Sequence, residues 1–126
     1  MIIENANLIL EFTPEQMQYL SEPKCNIGRL RLQALCVLIS QIKQETSETI
    51  KRGITVEIPA GTVVMSDLEL ANSIGVGRKF AFNLNKEFQQ LGLIESDRNK
   101  LVSKHVLKFV KGWRKDNVVV LNPSIL

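Results

Sequence analysis

Apolar and polar positions change period several times along this chain, and each change marks an element. Leu30, Ala34, Val37, Leu38 and Ile42 recur at helical spacing, and Leu35 and Ile39 widen the stripe. A long amphipathic helix is therefore predicted over 28–45, with Gln41, Lys43, Gln44 and Glu45 at its wetter end. Thr46-Ser47-Glu48-Thr49 breaks that pattern. Ahead of the helix, Ile2 to Phe12 reads as a short strand or an extended arm, interrupted by Asn5 and Asn7. Thr13-Pro14-Glu15-Gln16 then starts a short helix: Thr13 caps, Pro14 suits the first helical position, and Gln16 completes a capping box. Pro23 ends it by disfavouring helix at Glu22.

Beyond the long helix the period shortens. Ile54-Thr55-Val56-Glu57-Ile58 alternates strictly and reads as a strand, Pro59-Ala60-Gly61 as a turn, and Thr62 to Met65 as a second strand. Ser66 stands at a helix N-cap with Glu69 three residues on, and Leu68, Leu70, Ala71 and Ile74 give a short helix its apolar side. Gly75 occupies a C-terminal position that favours positive φ, and Val76 fills the corner. A second helix is predicted over 77–91, with Ala81, Leu84, Phe88 and Leu91 on one face, and Gly92 after it. Small Ala71 lets the two helices approach closely. Leu93-Ile94 begin a strand, residues 95–100 supply turn residues, Leu101 to Val110 are β-prone, residues 112–117 form another turn, and Val118 to Leu121 close as a strand. Residues 101–113 also carry a helical alternative, since Leu101, His105 and Phe109 recur every fourth position; the valine content favours strand.

The landmarks Glu69-Leu70-Ala71, Ile74-Gly75-Val76, Arg78-Lys79 and Gln90-Leu91-Gly92-Leu93-Ile94 resemble, in register, those of bacterial winged helix-turn-helix proteins. Ile58 to Ser66 is similar to the strand that leads into this motif in plasmid and phage replication proteins, and Val118 to Pro123 resembles the closing segment of RepL-type initiators. The resemblance implies an α+β fold: a three-helix core with a β-hairpin wing, preceded by an N-terminal arm and short helix. It implies one domain over 1–126, with the arm and short helix in 1–27 and the winged-helix core in 28–122. It implies double-stranded DNA as the partner, in replication initiation or organisation, or in transcription regulation, on a mobile element. Arg78, Lys79, Phe82, Asn83 and Lys86 would then point outward from the second helix. Asn83 suits adenine, Arg78 suits guanine or a phosphate, and Lys79 and Lys86 suit flanking phosphates. Arg98, Lys100, Lys104 and Lys108 would line the wing and reach phosphates. The chain departs from the pattern at three positions. Gly77 stands where Ser or Thr is usual, which leaves the backbone N–H for a phosphate. Phe82 stands at a usually polar position, where it either packs against core or partner or touches a thymine methyl. Asn85 replaces a common buried Leu, a role Leu84 is expected to take.

Composition adds charge asymmetry to this picture. Residues 1–63 carry six basic and seven acidic side chains, whereas residues 64–126 carry ten and six. Residues 97–115 alone hold seven basics (Arg98, Lys100, Lys104, Lys108, Lys111, Arg114, Lys115) against Asp97. Such a stretch fits either a polyanion-binding surface or a solvated, Lys-rich strand. A single histidine, His105, leaves no defensible catalytic triad, and a hydrogen-bonded or partly exposed strand position is expected for it. Cys25 and Cys36 lie outside any metal-ligand spacing and read as reduced thiols, Cys36 inside an apolar helix face. Trp113 reads as a packing residue. No enzyme activity, cofactor, metal or small-molecule substrate is expected, nor any membrane span, and a cytoplasmic location follows by default. A homodimer through 28–45 or the arm, and contacts to replication proteins, are the further partners expected. The competing function is a winged helix used for protein–protein contact in a replication or segregation complex.

Overall fold

Helix starts follow their capping signals closely. Thr13 Oγ1 accepts from Gln16 N–H at 3.1 Å while Thr13 N–H donates to Gln16 Oε1 at 2.9 Å, and α1 runs Pro14–Leu20. The same reciprocal box joins Ser66 and Glu69 at the start of α3, Asp67–Ile74. The computed structural model describes residues 7–99 and 102–125. Among these the chain is α+β, with eight strands in three antiparallel sheets and helices α1, α2 (Ile27–Ser40), α3 and α4 (Arg78–Gln90). A 3-10 turn, Lys24–Asn26, joins α1 to α2.

The first sheet has the order β1-β7-β8, from Asn7–Leu10, Val110–Lys115 and Val118–Leu121. The second is the hairpin of β2 (Ser47–Lys51) and β3 (Ile54–Ile58). The third has the order β4-β6-β5, from Thr62–Val64, Ser103–Leu107 and Ile94–Arg98. Lys108 and Phe109 carry the chain from β6 to β7, so adjacent strands in sequence are the central strands of two different sheets. The helices pack on these sheets through Leu35, Leu38, Leu70, Ala81, Leu84 and Phe88, which meet Val63, Ile94, Leu107 and Val110 in the core. Ala71 and Ala81, both buried, sit where α3 and α4 approach. α1 is tied to the end of α4: Gln16 Nε2 donates to the Leu91 carbonyl at 2.8 Å, and Tyr19 Oη donates to Glu87 Oε1 at 2.7 Å.

Several expectations need correction. The long helix stops at Ser40 rather than 45; Gln41 caps it and Ile42, although beyond it, is fully buried. Ser47 to Lys51 is a strand, because Arg52 and Gly53 make a two-residue turn with positive φ at both positions that folds it onto β3. Residues 95–98 continue β5 rather than turning, paired to β6 from Glu95↔Val106 to Arg98↔Ser103. Residues 112–115 are strand as well, and only Asp116 and Asn117 turn. The helical alternative for 101–113 gives way to strands broken at 108–109. Cys36 points out of α2 and is exposed, because Ala34, Leu35 and Leu38 define the buried face around it. Residues 1–6 of the expected arm, with Lys100 and Leu101, lie outside the described residues.

Candidate nucleic-acid interface

The connection between α3 and α4 is three residues long, Gly75 to Gly77. Gly75 takes φ 73° and ψ 37°, and its N–H and that of Val76 both return to the Ala71 carbonyl. This left-handed end turns the chain sharply enough to start α4 at once. Gly77 is the N-cap in extended conformation, offers no side-chain cap, and has open space where a Cβ would stand. Ala81, Leu84, Asn85 and Phe88 face the core. Arg78, Lys79, Phe82, Asn83 and Lys86 are all exposed. At about 100° per residue these five span an arc of roughly 140° on the opposite side of α4. Ion pairs among the described residues are Arg31–Glu87 and Arg98–Asp67, so the cations of this arc are not engaged by carboxylates there.

The strand cations are more scattered than their spacing suggests. Arg98 is held by Asp67 through two hydrogen bonds of 2.7 and 2.9 Å, and its guanidinium lies 5.4 Å from the centre of the Phe82 ring. Its donors are thus turned inward, and Phe82 packs beneath it while remaining 45% exposed. Burial pulls the Asp67 carboxyl upward, but the hydrogen bonds from Arg98 and from Asn85 outweigh it and hold the group below its ordinary value. Asn85 itself is fully buried: Nδ2 donates to Asp67 at 3.1 Å and Oδ1 has no partner among the described residues. Leu84 does not replace it, since both side chains are buried. Lys104 is half-buried in central strand β6, opposite Asp97. Lys108 sits in the turn at the far end of β6, where its N–H donates to the Leu93 carbonyl. Lys111, Arg114 and Lys115 belong to β7 in another sheet. The structure therefore gathers Arg78, Lys79, Asn83 and Lys86 on one helix and distributes the strand basics over several surfaces.

His105 is a hydrogen-bonded residue of strand β6, as expected, and is fully buried rather than partly exposed. Its Nε2 lies 2.9 Å from the Met65 carbonyl, which can only accept, so Nε2 carries the proton and Nδ1 accepts from the Ser96 hydroxyl at 2.7 Å. Burial pushes its pKa down, so the folded imidazole is neutral. Below the ordinary value of 6.5 the unfolded chain takes up a proton that the folded chain resists, and stability falls. Urea midpoints are expected to drop between about pH 7.5 and about pH 5.5. Because His105 is the only histidine, that drop should vanish in His105→Phe; a drop that persists would assign it to other groups.

Two cations absent from the sequence expectations also reach α4. Lys51 and Arg52, at the tip of hairpin β2–β3, line a polar cleft of about 350 Å³ together with Arg78, Glu69, Asn99 and Ser103. The signal for this hairpin was present: Thr49-Ile50-Lys51 and Ile54-Thr55-Val56 flank the dipeptide Arg52-Gly53. Searched against protein-family models, curated proteins and solved structures, the chain matches none. Among the described residues no helix is long and apolar enough to cross a membrane.

Proposed function

We propose that this chain binds double-stranded DNA as a winged helix-turn-helix protein, with α4 as the helix that enters the major groove and hairpin β5–β6 as the wing. What carries the reading is the exposed arc of Arg78, Lys79, Asn83 and Lys86 on the second of two closely packed helices. An arc of that width matches the strip of a helix that a major groove surrounds, and its side chains pair amide and guanidinium donors for bases with ammonium groups for phosphates. Arg98 has a supporting part in this reading: it braces Phe82 and α3 instead of reaching a phosphate. A role in replication on a mobile element rests on the resemblance of residues 58–66 and 118–123 to replication proteins. A second reading, protein contact through α4, is favoured by the exposed rings of Phe80 and Phe82.

Fluorescence anisotropy with a random-sequence duplex separates the two. Affinity is expected to fall as salt rises, with log K against log salt sloping at about −0.9 per phosphate contact. Lys79→Ala and Arg78→Ala should each weaken binding, and a lost phosphate contact flattens the slope by about 1, while thermal midpoints hold. Absence of any binding at low salt sinks the DNA reading and leaves protein contact.

A further inference from the structure

Hairpin β2–β3 has no evident structural reason to extend as far as it does. Its base is anchored: Val56 and Ile58 are buried, Ala60 N–H donates to Thr46 Oγ1 at 3.3 Å, and Gly61 N–H donates to the Lys43 carbonyl at 3.0 Å. Its tip is not, for every residue from Ile50 to Thr55 is exposed, Ile50 at 70% and Ile54 at 51%. The two faces of the hairpin differ in charge. Pairing of Lys51 with Ile54, Thr49 with Val56 and Ser47 with Ile58 places Lys51 on the same face as the buried residues. The opposite face carries Glu48 directly across from Glu57, a like-charged pair. The inward face continues the cationic surface. Lys51 lines a second small cleft with Lys43, and with Arg52 it lines the cleft that Arg78 opens into from α4. Of the described residues lining that larger cleft, Glu69 alone is acidic, and its Oε1 already accepts from Ser66 N–H in the α3 cap. Lys43, Lys51, Arg52 and Arg78 therefore form a stripe contributed by a loop, a hairpin and a helix, with a negative face turned away from it.

We infer that hairpin β2–β3 is a second DNA-contacting arm, with Lys51 and Arg52 holding the phosphate backbone beside the point where Arg78 begins α4. The inference rests on the DNA reading above and extends the footprint to hairpin β2–β3, whose tip shares a cleft with Arg78 of α4 and with Asn99 and Ser103 beside hairpin β5–β6. A backbone that follows α4 out of the major groove meets the stripe, and the acidic outer face keeps the hairpin oriented with its cations inward. Ile54, on the same face as Lys51, is placed to cover sugar edges once the tip is engaged.

The test uses the full chain and a random-sequence duplex of roughly 25 base pairs. Lys51→Gln with Arg52→Asn removes both charges, and asparagine keeps the left-handed conformation that residue 52 adopts at φ 52°. Two lost phosphate contacts should flatten the salt slope by about 1.8 and weaken binding roughly 10- to 60-fold near 0.1 M salt. Glu48→Gln with Glu57→Gln changes the charge by the same amount on the outer face and should leave the slope as it is, which separates contact from bulk field. Both variants are checked for an unchanged thermal midpoint; if Lys51→Gln/Arg52→Asn melts early, Lys51→Gln alone should still flatten the slope by about 0.9. Wild-type binding with an unaltered slope in the Lys51 variants overturns the second arm and leaves the α4 reading standing. No binding by the wild type overturns both.

Discussion

Gly61→Ala is expected to be the most damaging small substitution in the chain, costing about 3–5 kcal/mol of folding free energy. Gly61 has φ +81°, and a Cβ there would fall on the Asn122 side chain, 2.6 Å from its Cγ. The left-handed backbone alone costs an alanine about 1–2 kcal/mol. The larger part comes from Asn122, which is fully buried and joins three segments. Its Nδ2 donates to the Val110 carbonyl at 2.8 Å, its Oδ1 accepts from Ser124 N–H at 3.0 Å, and its own N–H donates to the Lys111 carbonyl at 2.9 Å. Ser124 in turn donates its hydroxyl to the Ala60 carbonyl. The closing Asn-Pro-Ser segment is thus a clasp that fastens β7 to the turn before β4, and it closes only over a glycine. Moving the amide aside leaves buried donors and acceptors unpaired at about 1–3 kcal/mol each. Urea denaturation checks this, with Asn122→Ala as the comparison. If the clasp is the cause, Gly61→Ala in the Asn122→Ala background should cost only the backbone part. A full cost there would place the damage elsewhere.

That clasp also shows how much was legible beforehand. Asn122 and Pro123 stood out in the sequence only as part of a resemblance, and nothing in their spacing pointed to Gly61, because the contact spans residues that are distant in the chain. Local signals succeeded where the physics is local: the Thr13 and Ser66 boxes, the Gly75 end of α3, and the apolar stripe of α4 all lie where expected. They failed where partner strands decide. Residues 95–98 are polar and short, and become a strand by pairing with Ser103–Leu107. The basic run at 97–115 failed for a related reason. Nearness in sequence is nearness on a surface only within one element, and this run crosses from one sheet to another at Lys108. On α4, where one element carries all the candidates, Arg78, Lys79, Phe82, Asn83 and Lys86 do share a face.

The expected effect of Asp67→Ala is nearly as large, about 2–4 kcal/mol. Asp67 opens α3, and its carboxylate receives Arg98 from β5 and Asn85 from α4, so three elements meet on one group. Losing the partly exposed ion pair with Arg98 costs modestly by itself. Asn85 makes the difference, because among the described residues its Oδ1 is already without a partner and removal of Asp67 leaves its Nδ2 stranded in the core as well. Two consequences separate this account from a general loss of charge. The carboxyl titrates lower in the fold than the 3.8 of the unfolded chain, so its contribution is present above that value and lost as pH falls through the folded one. The gap between wild type and Asp67→Ala should be level from about pH 5 to about pH 7 and narrow below about pH 4. The second consequence is rescue. Adding Asn85→Leu to Asp67→Ala exchanges a stranded amide for apolar volume and should restore about 1–2 kcal/mol, whereas Asn85→Leu alone should be close to neutral. Such non-additivity is the mark of a shared network. Purely additive effects would mean that Asp67 acts on Arg98 alone, and the buried amide of α4 would then need another explanation.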